Sequence, residues 1–287
     1  MNQVIIVTDS SVRFQPTWHP DPRQIIYAPA SVRFGETLLE DSPTTDMSGV
    51  MPLFDGTSYA PRFVPPSIAQ FERIYRELVP RTDKIISIHT SSRLSQALAN
   101  ATSASQQFLG RCDIQVIDSE SVSTGLGLLV QAASDAVAEG LEFDDVVRVV
   151  RGMVPRMYMV SFLDDLTYLE RSGLVSRSQA VLGNMMGVIA FLTLEDGKLI
   201  PMEKVRSRPR ALEKLTEFVS EFSTLSHLSI LESSSSPSEE ARGLAERIGL
   251  LHPDTPISIS CYGPCLATLI GTNSLGVVVL EPDGAAE

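Results

Sequence analysis

Three short polar turns in this 287-residue chain each follow a run of apolar and β-branched residues: Asp9-Ser10-Ser11 after 3–8, Thr90-Ser91-Ser92 after 84–89, and Asp118-Ser119 after 113–117. In a parallel sheet the carboxyl ends of the strands lie together and frame the ligand crevice, so this placement gathers Ser10, Ser91, Ser92 and Ser119 at one site. Small hydroxyls beside free backbone N–H groups at the start of a helix suit a single carboxylate or phosphate. Taken one turn at a time, Ser and Asp at such places more commonly cap the helix that follows. The Ser91-Ser92 turn is the strongest candidate. Leu94, Ala97, Leu98 and Ala101 follow it on one face and would set an apolar groove against a polar end.

Other chemistries find less support. A Ser-His-Asp hydrolase would have to use His89 with Ser10, Ser91 or Ser119, yet no G-x-S-x-G elbow occurs and His89 would point along the sheet face. A serine-dependent acyl hydrolase or transferase built on Ser91 and His89 stands as the alternative reading, and no catalytic residue is assigned. His19, His227 and His252 have no carboxylate or Cys at ligand spacing, so no metal is expected. Gly125-Leu126-Gly127 lacks a third glycine and no P-loop follows a strand, so neither a nucleotide nor another cofactor is implied. Lys204, Arg206, Arg208 and Arg210 form a local basic patch that reads either as a solvated helix start or as a docking surface for an acidic partner.

The elements that would position these residues alternate. Strands are expected at 3–8, 25–28, 84–89, 113–117, 158–162, 188–194, 227–231, 257–260 and 276–280, with helical patterns between them. Ser67 and Gln70 stand at capping-box spacing before a helix over 67–79, whose Phe71, Ile74, Tyr75 and Leu78 share a face. Helices are also expected after Ser91-Ser92, over 122–139, and from Phe143 to Met157. Further on, a strand pair 188–194 and 198–205 joins at Asp196-Gly197, and a helix opens near Ser207-Arg208-Pro209. The fold class is α/β, with a boundary near residue 155 separating two α/β domains, 1–157 with a parallel sheet and 158–287. Leu39 to Pro66, rich in Pro, Ser, Thr and Gly, reads as a long irregular segment, either a lid or ligand loop or a surface excursion.

Composition bounds the partners. The chain carries 23 basic and 35 acidic residues, a net charge of −12, which argues against nucleic acid and anionic membrane surfaces. The 3 cysteines cannot form a disulfide framework, which points to a reducing, cytoplasmic setting. The opening MNQVIIVTDSS has neither a basic start nor an apolar run suited to export. The uncharged stretch Thr255–Leu280 is broken by Pro256, Gly263, Pro264, Gly271 and Gly276 into strand, turn and strand, so no integral membrane segment is expected.

These residues resemble the DegV family of bacterial fatty-acid-binding proteins. The likeness runs nearly end to end: Ile5 to Ser11, the SSRLS turn Ser91 to Ser95, Val116 to Gly127, Ser161 to Gly173, Val181-Leu182-Gly183, Leu192 to Leu212, Tyr262 to Pro264, and Ser274-Leu275-Gly276. The resemblance implies two α/β domains with a fatty acid in an apolar tunnel between them, its carboxylate held by Ser hydroxyls. It implies a carrier that presents the acyl group to a separate fatty acid kinase for phospholipid synthesis and supplies no catalytic nucleophile. Neutral hydroxyls can hold a carboxylate without a buried counter-ion, at about 1.5–3 kcal/mol for each hydrogen bond to a charged group. Burial of about 15 methylenes would add on the order of 12 kcal/mol before ordering losses.

The chain departs from the family at the polar end. Phe63-Val64 stand where the family usually has Thr-Ser, and Leu269 stands where a His usually joins the carboxylate network, which leaves Ser91 and Ser92. Ser10, Ser119, Leu94, Phe63 and Leu269 complete the expected ligand site. Leu174 replaces an Arg expected to meet the kinase, and Ile189-Ala190 replace a Lys-Pro, while Arg206 and Arg208 remain as the expected partner-binding residues. A third reading, supported by the bulk of Phe63 and Leu269, is an interaction module with a filled core.

Overall fold

The computed structural model describes residues 4–55 and 60–284. In chain order its strands are β1 (Ile5–Asp9), β2 (Ile25–Ala28), β3 (Ser31–Phe34), β4 (Thr37–Glu40), β5 (Arg62–Val64), β6 (Lys84–His89) and β7 (Asp113–Asp118). Then follow β8 (Met157–Leu163), β9 (Ile189–Glu195), β10 (Lys198–Val205), β11 (His227–Glu232), β12 (Ile257–Cys261) and β13 (Leu275–Leu280). The fold is mixed α/β, as the alternation of strand and helix patterns predicts. Residue 3 of the expected first strand lies outside the described residues.

Strands β2-β1-β6-β7 form a parallel sheet in that order. Successive side chains of a strand point to opposite faces, and both faces here are apolar. Ile5, Val7 and Ile85 pack on Phe71, Ile74 and Tyr75 of the helix Ile68–Leu78 and on Ala101 and Ala104 of the helix Ala97–Ser105. Ile6, Ile86 and Ile88 pack on Leu126, Leu129 and Val130 of the helix Thr124–Ala138 and on Val146 and Val150 of the helix Phe143–Met153. Ser67 and Gln70 make both bonds of the expected capping box. The helix expected to reach Met157 stops at Met153, because Pro155 lacks the N–H that would continue it; Met157 already belongs to β8.

A second sheet has the order β10-β9-β8-β13-β11-β12, with β11 and β12 parallel and the other pairs antiparallel. One face, including Val160, Phe162, Phe191, Ile230 and Val277, is covered by Leu215 and Val219 of the helix Arg208–Ser220 and by Leu244 and Ile248 of the helix Glu239–Leu251. The other face, with Met159, Leu163, Leu192, Leu231 and Val278, joins an apolar cluster that also takes in Val32, Phe34, Val122 and the helix Pro264–Ile270. The hairpin β9–β10 turns at Asp196 and Gly197, both at positive φ (46° and 74°), the signature of a two-residue primed turn that the Asp-Gly pair predicts.

The segment from Leu39 to Pro66 corrects the expectation of an irregular loop. Strands β4-β3-β5 form an antiparallel sheet, and the short helix Met51–Asp55 follows a 3₁₀ turn at Met47–Gly49. Met47, Val50 and Phe54 are buried in the shared cluster, and Phe54 meets Phe34 edge to face with ring centroids 5.0 Å apart. Strands of 3 and 4 residues leave too short a pattern to read. A usable signal was Gly35, at φ 58°, between Phe34 and the paired Thr37. Residues 56–59 of the segment lie outside the described residues.

Candidate functional site

The three serine-bearing turns do meet at the carboxyl ends of β1, β6 and β7. The Thr90 N–H donates to Asp9 Oδ2 (2.7 Å), the Ser91 N–H to the Ser121 carbonyl (2.9 Å), and the Ser92 N–H to the Asp118 carboxylate (3.2 Å). Their hydroxyls, however, bond inward. Ser10 Oγ donates to the Asp41 carbonyl (2.7 Å) and accepts from the Ala30 N–H (2.8 Å). Ser119 Oγ donates to the Ser121 carbonyl and accepts from its N–H. Ser91 Oγ donates across to the Gly197 carbonyl at the β9–β10 turn (2.7 Å) and accepts from the Arg93 N–H (3.2 Å). A Cβ at residue 197 would overlap that hydroxyl, so glycine suits both the turn and the contact.

In Ser10, Ser91 and Ser119, donor and acceptor are matched within the protein. Ser91 also stands off the helix start it was expected to occupy, since that helix begins only at Ala97. Ser92 alone among the four lies exposed. The Asp118–Ser123 connection holds this arrangement through two residues at positive φ, Glu120 (48°) and Ser123 (54°). Its Ser123 carbonyl accepts the Arg13 N–H (3.2 Å), and a Cβ on Gly127 would run into the Arg13 carbonyl. Gly125 and Gly127 thus serve close packing of the chain. Burial, with Asp118 and Asp196 nearby, raises the Glu120 carboxyl, while Arg93 opposes the rise.

His89 has its own chain of contacts. Nδ1 lies 2.9 Å from Asp9 Oδ1, Nε2 lies 2.7 Å from Ser87 Oγ, and Ser87 Oγ lies 2.8 Å from the Tyr75 hydroxyl. The order carboxylate, imidazole, hydroxyl has the outline of a hydrolytic triad. Asp9, Ser87, His89 and Tyr75 are all fully buried, and burial drives the Tyr75 hydroxyl far above its ordinary range. Ser87 occupies the ring nitrogen that a Ser91–His89 pair would need, so that pairing does not form.

An open cavity of about 730 Å³ lies where β5, the 91–94 turn, the 171–174 segment, β10 and the helix Pro264–Ile270 come together. Its apolar wall brings together Phe63, Leu94 and Leu269 with Leu174 and Leu199. Its polar rim consists of residues that sequence reasoning did not single out: Arg62, Arg93, Arg171, Lys198, Ser172 and Thr268. Ser172 Oγ donates to the Tyr168 carbonyl (2.9 Å) and Thr268 Oγ1 to the Cys265 carbonyl (2.8 Å). A second cavity, about 820 Å³, is lined by Leu166, Leu169, Val175, Val188 and Ala190, with Lys204 and Arg206 at its edge. The apolar linings of both belong to one continuous cluster.

Of the two expected partner-binding residues, Arg206 is exposed beside the second cavity. Arg208 is tied down: Nε meets Glu240 Oε2 (2.7 Å), Nη1 reaches Asp164 Oδ2 (3.4 Å) and the Asn273 carbonyl (3.1 Å), and the guanidinium lies over the Phe162 ring. It ties the start of its helix to Glu240, Asp164 and Asn273. Sequence reasoning also missed the buried pair Arg13–Asp41 (2.7 Å). No helix among the described residues is long and apolar enough to cross a membrane.

A parallel-sheet unit and a mixed-sheet unit share an apolar cluster, with a rimmed cavity opening onto it, and together define a mixed α/β protein. The chain belongs to the DegV family, whose model, described as an uncharacterised protein family, matches residues 3–282. A DegV domain-containing protein of Halalkalibacterium halodurans is 27% identical over 284 residues, covering 96% of this chain and 98% of that one. Among solved structures, a fatty acid binding DegV family protein from Streptococcus agalactiae superposes with a TM-score of 0.85 at 19% identity, covering 99% of this chain and 100% of that one. The Streptococcus pneumoniae fatty acid kinase B3 protein loaded with linoleic acid gives 0.84 at 18% identity, covering 98% and 100%.

Proposed function

We propose that this protein is a carrier that binds a long-chain fatty acid or closely related lipid and presents its acyl group to a fatty acid kinase for phospholipid synthesis. The observation that carries the reading is the cavity of about 730 Å³ walled by Phe63, Leu94, Leu174, Leu199 and Leu269. That volume falls in the range of about 300–1,000 Å³ usual for small-molecule sites. Its walls continue into the cluster between the two sheets, which supports an acyl chain running inward from the cavity. The solved relatives described as fatty-acid-binding, one of them loaded with linoleic acid, support the same ligand class.

In this reading the polar end of the lipid stays at the rim, beside the exposed Ser92 and the lining residues Arg93 and Leu94. The units 1–157 and 158–287 act as two α/β domains that close on the chain, in a cytoplasmic setting. The protein supplies no nucleophile, because Ser91 is bonded to Gly197 and His89 is sealed with Ser87 and Asp9. Arg206 and Lys204, exposed together, offer the kinase a basic contact.

The test is solvent extraction of the purified protein followed by mass spectrometry, with native mass spectrometry for stoichiometry. One fatty acid per chain is the expected result. A protein that comes empty and takes up no added fatty acid would overturn the assignment.

A further inference from the structure

We propose that this protein holds the anionic head of its lipid by a cationic clamp, Arg62, Arg93, Arg171 and Lys198, in place of a hydroxyl clamp. The inference rests on the carrier reading and assigns the groups that recognise the head. All four cations line the one cavity whose apolar wall is Phe63, Leu94, Leu174, Leu199 and Leu269. None of them takes part in an ion pair among the described residues, although the chain carries 35 acidic side chains and its other basic residues supply the ion pairs present. Arg171 rests over the Tyr168 ring, 5.1 Å from its centroid, which fixes the guanidinium without neutralising it.

Of the hydroxyls in and beside the cavity, all but the exposed Ser92 already give their proton to a backbone carbonyl. Ser172, Thr268 and Ser91 each donate to a backbone carbonyl, at 2.9, 2.8 and 2.7 Å. A hydroxyl carries one proton, so a carboxylate or phosphate there would meet an acceptor facing an acceptor. The bulky side chains of Phe63 and Leu269 occupy the same wall and supply no donor at all. A guanidinium carries five N–H donors and an ammonium three, and both retain them in an open rim. The shared chemistry is thus a single-chain amphiphile with an anionic oxygen head, supplied either by a free fatty acid or by a phosphomonoester.

Three probes separate the possibilities: dodecanoate, dodecyl phosphate and dodecanol, titrated into delipidated native protein and the double variant Arg93→Gln/Arg171→Gln. Both substitutions sit at exposed positions and leave the apolar wall intact. The clamp predicts that the double variant loses about a hundredfold in affinity for its anionic probe, about tenfold per guanidinium, and is unchanged for dodecanol. Native affinity for the anion falls as salt is raised, and the double variant Arg73→Gln/Arg81→Gln, an equal change of net charge away from the cavity, leaves it unaltered. The anionic probe more weakened by the double substitution identifies the head, carboxylate or phosphate. Equal retention of both anions by native protein and double variant overturns the clamp. If none of the three probes binds the native protein, the carrier reading itself fails.

Discussion

Removing one member of the Arg13–Asp41 pair is expected to destabilise the protein far more than removing both. Arg13 Nη2 lies 2.7 Å from Asp41 Oδ1, the two side chains are 4% and 0% exposed, and Asp41 Oδ2 accepts the Cys265 N–H at 3.3 Å. The pair ties the turn after β1 and the end of β4 to the first turn of the helix Pro264–Ile270. Gly263 makes room for it, since a Cβ there would run into the guanidinium. Asp41→Asn leaves a buried cation without its counter-ion, a loss of about 3–5 kcal/mol, and Arg13→Met strands the carboxylate at a similar cost. At about 2–4 °C per kcal/mol for a chain of this size, each single variant should melt roughly 6–20 °C lower. The double variant Arg13→Met/Asp41→Leu has no stranded charge and orphans the Cys265 N–H and the Val12 carbonyl that the Arg13 side chain bonds, about 1–3 kcal/mol each and below the summed loss of the two single variants. Melting curves followed by circular dichroism at pH 7 give the cycle directly. Losses that add to within about 0.5 kcal/mol would refute the claim that the pair acts as one buried unit.

Two further outcomes follow from the same structure. Ser91→Ala should lower stability by about 1–3 kcal/mol, because the Gly197 carbonyl loses its donor, while leaving dodecanoate affinity within about threefold; a tenfold loss of affinity with unchanged stability would make Ser91 a ligand anchor after all. His227, buried with its Nε2 2.9 Å from Ser229 Oγ, is lowered by desolvation to about 4 from 6.5. The unfolded chain therefore takes up a proton near pH 6.5 that the folded chain takes up only near 4. The His227 contribution is complete above pH 6.5 and is lost as the pH falls towards 4, about 3 kcal/mol in all. His227→Gln should flatten the stability-against-pH curve in that window, and parallel curves for the two proteins would exclude the histidine as its source.

Much of the fold was legible because its buried strands leave long signals. The runs around Ile5–Asp9 and Lys84–His89 are apolar on both faces, and the 3.6-residue spacing of Phe71, Ile74, Tyr75 and Leu78 marks a covering helix. The small sheet β4-β3-β5 was not legible, since its strands are short and Arg33, Leu38 and Arg62 point outward. At the site, the meeting of the three turns followed from topology alone. What topology could not give is the direction of each hydroxyl. Ser91 bonds to Gly197 and Ser10 to Asp41, partners 106 and 31 residues away, and no local pattern encodes such distant acceptors. The cations were missed for a related reason: Arg62, Arg93, Arg171 and Lys198 are scattered along the sequence and form a set only around the cavity.

These two omissions have one physical origin. The serine turns are bonded to one another and to the β9–β10 hairpin, so their hydroxyls contribute to holding the parallel sheet against the mixed one. A hydroxyl whose proton is fixed on a buried carbonyl has an unfavourable exchange to make with a ligand, because the carbonyl would be left unsatisfied at about 1–3 kcal/mol. Guanidinium groups at the rim face weaker competition: Arg93 acts on Glu120 and Arg171 on Asp165 through charge alone, without an ion-pair contact, and turning towards an anion leaves no buried carbonyl unsatisfied. Phe63 and Leu269 on the wall and the four cations around the same opening, none in an ion pair among the described residues, are then complementary. The first leaves that part of the wall without neutral donors, and the second places charged donors at the opening, where the proposed carrier would hold the head of its lipid. The proposed clamp thus separates affinity for the chain, residing in the shared apolar cluster, from recognition of the head, residing in exposed side chains that substitutions can remove without unfolding the protein.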